Sequence, residues 1–182
     1  MVGARQDLAL TPVGKAQAAA VGQSLVRLEL IPGQIITGPL QRTREFAEII
    51  SELVGTAHAV KVDPRLTELD YGAWGGLSDD EIGKQWGPEA LQLWQADAIR
   101  PQGVTFLPSE QELEKEVRAL LAECALLEGV TLVVTSNGRL RELSRIVSGS
   151  PSKVRTGHVS VLTLGEQGAW QILRWDCAPE TL

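Results

Sequence analysis

Histidine and cysteine are scarce in this chain, with two of each in 182 residues. Cys124 and Cys177 lie far apart, form no CxxC pair and have no neighbouring histidine. This excludes a redox or metal motif and leaves two core or near-core thiols. His58, in Gly55-Thr56-Ala57-His58-Ala59, and His158, in Thr156-Gly157-His158, sit in loop-like contexts and read as surface residues. No His, Cys or carboxylate cluster has ligand spacing, so neither metal nor cofactor is expected. Long apolar runs are missing as well, and the first residues, Met1-Val2-Gly3-Ala4-Arg5-Gln6-Asp7, lack the apolar segment of a secretory leader. No membrane association is expected, and the default address is cytoplasmic. Basic excess is also absent: the formal charge is −6, which argues against a nucleic-acid partner but leaves room for a small anion held by local arginines.

What is present is a regular alternation of short elements within one domain, residues 1–182, punctuated by Pro and Gly. Periodicity predicts a helix over Pro12–Leu28, a buried strand over Gln34–Thr37, and a helix over Leu40–Val54 closed by Gly55. Ala59–Val62 reads as an edge strand. The irregular stretch Asp63–Pro108 holds helical segments at Ser78–Trp86 and Glu89–Ala96. Ser109, with Glu112 at the capping-box position, opens a helix to Leu127. Val130–Thr135 is the clearest buried strand, followed by a helix over Arg139–Val147. Val159–Leu164 and Gln171–Trp175 form a hairpin through Gly165 and Gly168. Together these predict a three-layer α/β/α sandwich around a mixed, mostly parallel sheet. The five tryptophans, Trp74, Trp86 and Trp94 among them, read mostly as core or cleft-wall packing.

The ligand site of such a sheet lies beyond the carboxyl ends of its strands. Two turns occupy that place: Thr37-Gly38-Pro39-Leu40-Gln41-Arg42 and Thr135-Ser136-Asn137-Gly138. Arg42 and Arg44 fall in a first helical turn, where a cation opposes the helix dipole unless an anion compensates. The alternative is that they pair with Glu45 and Glu48. Ser136 and Asn137 offer donors at a helix start, with ordinary capping as the alternative. Glu68, in a loop, reads on its own as solvated.

Three segments then resemble one family. Leu10-Thr11-Pro12-Val13-Gly14-Lys15-Ala16-Gln17-Ala18 resembles LTxxGxxQA, Thr37 to Ile50 resembles SSPLxRxxxTAEII, and Leu66-Thr67-Glu68-Leu69-Asp70-Tyr71-Gly72-Ala73-Trp74-Gly75-Gly76-Leu77 resembles LxExxxGxWEG. These are stretches of the histidine phosphatases (phosphoglycerate mutase-like), in matching order. The resemblance implies covalent catalysis by the histidine of an Arg-His-Gly strand, which attacks phosphorus, with water hydrolysing the phosphohistidine. Arginines and a second histidine stabilise the phosphoryl oxygens, and a glutamate protonates the leaving alkoxide. Carried over, Arg42 and Asn137 are phosphate-binding, Glu68 is the general acid, and Ser136 stands where the second histidine would be.

No Arg-His-Gly occurs in the sequence, and the family's THGG turn is Thr135-Ser136-Asn137-Gly138. A domain without that first strand is expected to have an open strand edge and a weakened core. Met1 therefore reads as an internal methionine of a longer gene product. Two functions are expected to compete: a phosphomonoesterase whose nucleophile lies upstream, and a non-catalytic protein that binds a small phosphorylated molecule. Mutase activity, substrate and oligomeric state are left open.

Overall fold

The computed structural model describes residues 1–55 and 60–182. His58 and Ala59, the latter at the head of the expected edge strand, lie outside the described residues. The elements are α1 (Pro12–Arg27), β1 (Gln34–Thr37), α2 (Gln41–Val54), β2 (Lys61–Val62), α3 (Asp79–Trp86), α4 (Pro88–Asp97), α5 (Glu110–Cys124), β3 (Thr131–Val134), α6 (Asn137–Ser148), β4 (Val159–Leu164) and β5 (Trp170–Cys177).

Local chemistry sets most boundaries. The Thr11 hydroxyl accepts from Gly14 N–H at the start of α1, with Pro12 in its first turn. Ser78 with Glu81 and Ser109 with Glu112 form capping boxes on α3 and α5. Gly55 ends α2 in the left-handed region at φ 68°. Helix α5 stops at Cys124, short of the expected Leu127, and Leu126 is 84% exposed. With no apolar surface for Leu126 to cover, nothing favours a further helical turn.

Strands β2, β1 and β3 form a parallel sheet in that order, with Thr37 opposite Val62 on one side and Val134 on the other. Alternate β1 residues serve opposite layers. Ile35 packs with Val21 and Leu25 of α1 and Ala47 and Ile50 of α2, whereas Ile36 packs with Leu66 and with Leu120 of α5. The protein is thus a mixed α/β fold with helices on both faces of a mainly parallel sheet. A second cluster centres on aromatic edges: Phe106 lies 5.2 Å from Tyr71, 5.5 Å from Trp74 and 5.1 Å from Trp94, between ring centroids.

Among the described residues, hairpin β4–β5 pairs only with itself, and β3 pairs only with β1. All four residues of β3 are half-buried, which corrects the expectation of a buried strand. The reason is the open outer edge of β3: Val159 of β4 reaches the same apolar cluster as Leu132 and Val134, yet no ladder joins the strands. Cys124 and Cys177 are free and half-buried, and burial pushes the Cys124 thiol pKa up.

Beyond β2, buried Asp63 receives the Arg65 backbone N–H and its guanidinium, and Arg65 also bridges 2.7 Å to Glu123 of α5. The Arg65 hydrogen bonds hold the Asp63 carboxyl below its ordinary range. Its stabilisation is therefore present above the unfolded carboxylate pKa and is lost as pH falls through the lower folded value. Asp63→Asn is expected to cost about 1–3 kcal/mol at neutral pH and to flatten the acid limb of Tm against pH. An unaltered acid limb would remove Asp63 from acid unfolding.

Candidate active site

Because β1 and β3 are adjacent and parallel, the turns that follow them lie side by side, tied by Gly38 N–H to Val134 C=O at 3.2 Å. The segment Leu66–Glu68 crosses this pair. Thr135 Oγ1 donates to Leu66 C=O at 3.1 Å, and Arg139 Nε donates to Thr67 C=O at 2.7 Å. The approach is close enough that a Cβ on Gly38 would sit 2.7 Å from Leu66 O, so this position requires glycine.

This arrangement delivers Glu68 to the amino end of α6. The side chain is 6% exposed, contrary to the solvated reading of an isolated loop glutamate. Its Oε1 accepts from Leu69 N–H at 2.7 Å and from Gly138 N–H at 3.2 Å. Gly138 must be glycine, since a Cβ there would overlap Glu68 Oε1 and the Leu69 side chain. Desolvation by burial raises the Glu68 pKa; the two N–H groups and the Arg42 and Arg139 charges act against it. Glu68 therefore holds its proton more tightly than an exposed glutamate, as a proton donor requires.

Arg42 lies in the first turn of α2, half-buried, and its guanidinium donates to two backbone carbonyls, Gln6 at 2.8 Å and Gly3 at 3.5 Å. The alternative pairing with Glu45 does not form; Glu45 instead serves Leu10 N–H, Gln41 and Lys15. Arg44 and Glu48 are both exposed. The start of α2 is occupied by Asp7, whose Oδ1 accepts from Gln41 N–H at 2.5 Å. Both helix amino ends offered by the sequence as anion sites thus carry a carboxylate of the chain itself, Asp7 on α2 and Glu68 on α6.

Ser136 occupies the N-cap of α6, but its hydroxyl makes no capping bond. Its Oγ is buried without a partner among the described residues, as is Thr37 Oγ1 at the end of β1. Two buried hydroxyls without a protein partner thus stand at the carboxyl ends of neighbouring strands. The Asn137 amide, by contrast, is bonded to one backbone unit: Nδ2 donates to Val154 C=O at 2.6 Å and Oδ1 accepts from Val154 N–H at 3.0 Å.

Sequence reading missed the contribution of residues 1–7. Gly3, Arg5 and Gln6 line a cavity of about 100 Å³ with Asp70, Tyr71, Gly72 and Gly75, and Arg5 pairs with Asp70 at 2.8 Å. It also missed that Tyr71 and Arg141 both pack on Trp94, the tyrosine ring at 5.8 Å and the guanidinium carbon at 4.9 Å from its ring centre. No local pattern points to this packing, because it depends on α6 meeting α4. Among the described residues no group of His, Cys, Asp and Glu has the arrangement of a metal site, and no helix is long and apolar enough to cross a membrane.

Known proteins resemble this chain in sequence and in fold. The chain is 33% identical to a probable phosphoglycerate mutase of Klebsiella pneumoniae, over 94% of this chain and 80% of that one. It is 29% identical to a 2,3-bisphosphoglycerate-dependent phosphoglycerate mutase of Mesorhizobium japonicum, over 79% and 71%. Its fold superposes on a mycobacterial glucosyl-3-phosphoglycerate phosphatase with a TM-score of 0.81 at 25% identity, covering 98% of this chain and 92% of the other; a further structure of that phosphatase contains inorganic phosphate. The profile of the histidine phosphatase superfamily (branch 1) matches residues 1–178, and with a glutamate and an arginine brought to the ends of β1 and β3 the chain belongs to that superfamily.

Proposed function

We propose that the site binds the phosphoryl group of a small phosphomonoester, with Arg42 as its anchor and Glu68 as the proton donor to the ester oxygen. The observation that carries this reading is a buried carboxyl of raised pKa that feels the charge of an arginine bonded, among the described residues, only to backbone carbonyls. An incoming phosphoryl group can compete for the Arg42 guanidinium and for the unpaired Ser136 hydroxyl. The Asn137 backbone N–H adds a neutral donor at the α6 terminus.

In the hydrolytic form of this reading, the gap between β3 and β4 takes one further strand of the same domain, ending in Arg-His-Gly. Its imidazole attacks phosphorus while the ester P–O bond breaks and Glu68 protonates the departing oxygen. Water then cleaves the P–N bond, giving phosphate and free imidazole. The half-buried β3 and the unladdered β4 support this place for the strand. A second reading, a binding protein without turnover, is favoured by Ser136, whose neutral hydroxyl replaces a charged ring. No cofactor enters either form, and a cytoplasmic location goes with both.

Calorimetry with inorganic phosphate and para-nitrophenyl phosphate tests the common part. Arg42→Ala is expected to weaken affinity by roughly tenfold to a hundredfold, as for a charged hydrogen-bond donor. If neither compound binds the parent protein, both readings fail. The intact mass of the protein from its own cells separates them: a heavier product carrying Arg-His-Gly with turnover supports hydrolysis. Binding without turnover by a protein that begins at Met1 supports the second reading.

A further inference from the structure

Two carbonyls of the segment that crosses the strand ends are held by side chains from the turn into α6: Leu66 C=O by Thr135 Oγ1 and Thr67 C=O by Arg139 Nε. The second tie is the costlier one. Arg139 is 4% exposed, and burying a guanidinium without a counter-charge is unfavourable. Glu116 of α5, itself half-buried, supplies that charge by pairing with Arg139 NH1. A single backbone carbonyl needs only a neutral donor, so the bond to Thr67 alone does not require a cation. What a guanidinium adds is a planar fork that reaches two acceptors in a fixed geometry. Here the fork joins α5 and α6 to the residue just before Glu68.

The tie sits where a small displacement matters. Arg139 directly follows Gly138, whose N–H donates from α6 to Glu68 Oε1 at 3.2 Å. Space there is tight: a Cβ on Gly138 would overlap the Glu68 carboxylate and the Leu69 side chain. Leu69 N–H reaches the same oxygen at 2.7 Å, but it belongs to the same segment and moves with it. Of these two donors, Gly138 alone depends on how the segment docks against α6. The 2.7 Å bond from Arg139 to Thr67 C=O fixes that docking one residue before the carboxyl.

We propose that Arg139 is a positioning residue for the proton donor: anchored on Glu116, its guanidinium clamps the Thr67 carbonyl and so seats the Glu68 carboxylate on the Gly138 N–H. This rests on the role given to Glu68 above. Without the clamp, the carboxylate keeps the Leu69 N–H and loses the Gly138 N–H. The charges that act on Glu68 are Arg42 from α2 and Arg139 from α6, and Tyr71 and Arg141 feel its charge in turn. Arg139→Lys keeps a cation in this set but has no planar fork, so it separates placement from charge.

The test is NMR of the full chain, following the Leu69 and Gly138 amide protons across pH. An amide bonded to a carboxyl shifts when that group ionises, because its bond to the charged form is stronger. Both resonances should shift together through the Glu68 titration, and Glu68→Gln should abolish both shifts. In Arg139→Gln and Arg139→Lys the Leu69 shift is expected to persist while most of the Gly138 shift is lost. Glu116→Gln, which takes the anchor from Arg139, should weaken the Gly138 shift in the same way. Adding it to Arg139→Gln should change nothing further. If the arginine variants lower Tm but keep both shifts, Arg139 is a packing residue and the proposal is overturned. Loss of both shifts would also overturn it, since the whole segment would then have given way. So would a Gly138 amide that does not titrate in the parent protein. Should Arg139→Gln not fold, Arg139→Lys and Glu116→Gln serve the same comparison. The measurement needs no turnover, so failure of the parent protein to bind phosphate esters would defeat the proposed function while this result stood separately.

Discussion

Trp74→Ala is expected to lower the unfolding free energy by about 3–5 kcal/mol, the cost of emptying a large, well-packed aromatic site. Trp74 is 0% exposed, and its ring lies 5.5 Å from Phe106 and 6.2 Å from Trp86 between centroids. Its Nε1 is buried without an acceptor among the described residues, so the loss comes from packing and not from a broken hydrogen bond. Trp74→Phe keeps part of the ring contact and should cost much less. Because Trp74 closes the short turn Gly72–Trp74 directly after Tyr71, the cavity would also loosen the segment that carries Glu68. Urea denaturation of both variants checks this. A loss under about 1 kcal/mol for Trp74→Ala would mean that the neighbouring rings collapse into the space. For a domain whose whole stability is on the order of 5–15 kcal/mol, the expected loss is a large share.

Glu68→Gln is expected to divide stability from function. The folded-state pKa of Glu68 is raised, chiefly by burial. The sign follows from linkage: below the unfolded pKa the carboxyl is neutral in both states and burial carries no charge penalty. As pH rises through the folded pKa, the folded state must ionise in a desolvated place, and stability is lost. Glutamine cannot ionise, and its Oε1 can still accept from Leu69 and Gly138 N–H. The variant should therefore match the parent in acid and exceed it in stability toward and above neutral pH, a difference read from Tm against pH. Where the protein turns over a phosphomonoester, the same change should reduce the rate by roughly 10²–10⁴-fold, the usual worth of a general acid. A Tm difference that did not vary with pH would show that Glu68 titrates as an ordinary glutamate in the folded protein.

The helices were legible in the sequence because their signals are local. Thr11-Pro12, Ser78 with Glu81, Ser109 with Glu112, and Gly55 satisfy or end a helix through groups a few residues away, and the observed boundaries fall within a few residues of those expected. Strand β1 was equally plain, since Gln34–Thr37 is short, apolar and flanked by Gly33 and Gly38. The burial of β3 was not. Val130–Thr135 has the composition of an interior strand, but how much water it meets depends on what lies along its outer edge. No property of its own residues reports that.

The candidate site divides in the same way. Arg42, Glu68 and Ser136 could be picked out by motif because each has a fixed place in a segment that resembles the histidine phosphatases. What those side chains touch could not. Glu68 looks solvated in its loop and is buried where Gly138 and Leu69 close on it. Asn137 looks like a ligand group, and its amide is bonded to Val154, seventeen residues away. Asp7 carries no motif signal in the sequence and sits on the start of α2. By itself the sequence determined the element order, the family and the identity of the chemical groups, since propensity, capping and motif act over a few residues. Only the tertiary structure decided which helix amino ends are already filled, which hydroxyls are left unpaired and which arginine lacks a counter-charge, because burial and electrostatic pairing join groups that are distant along the chain.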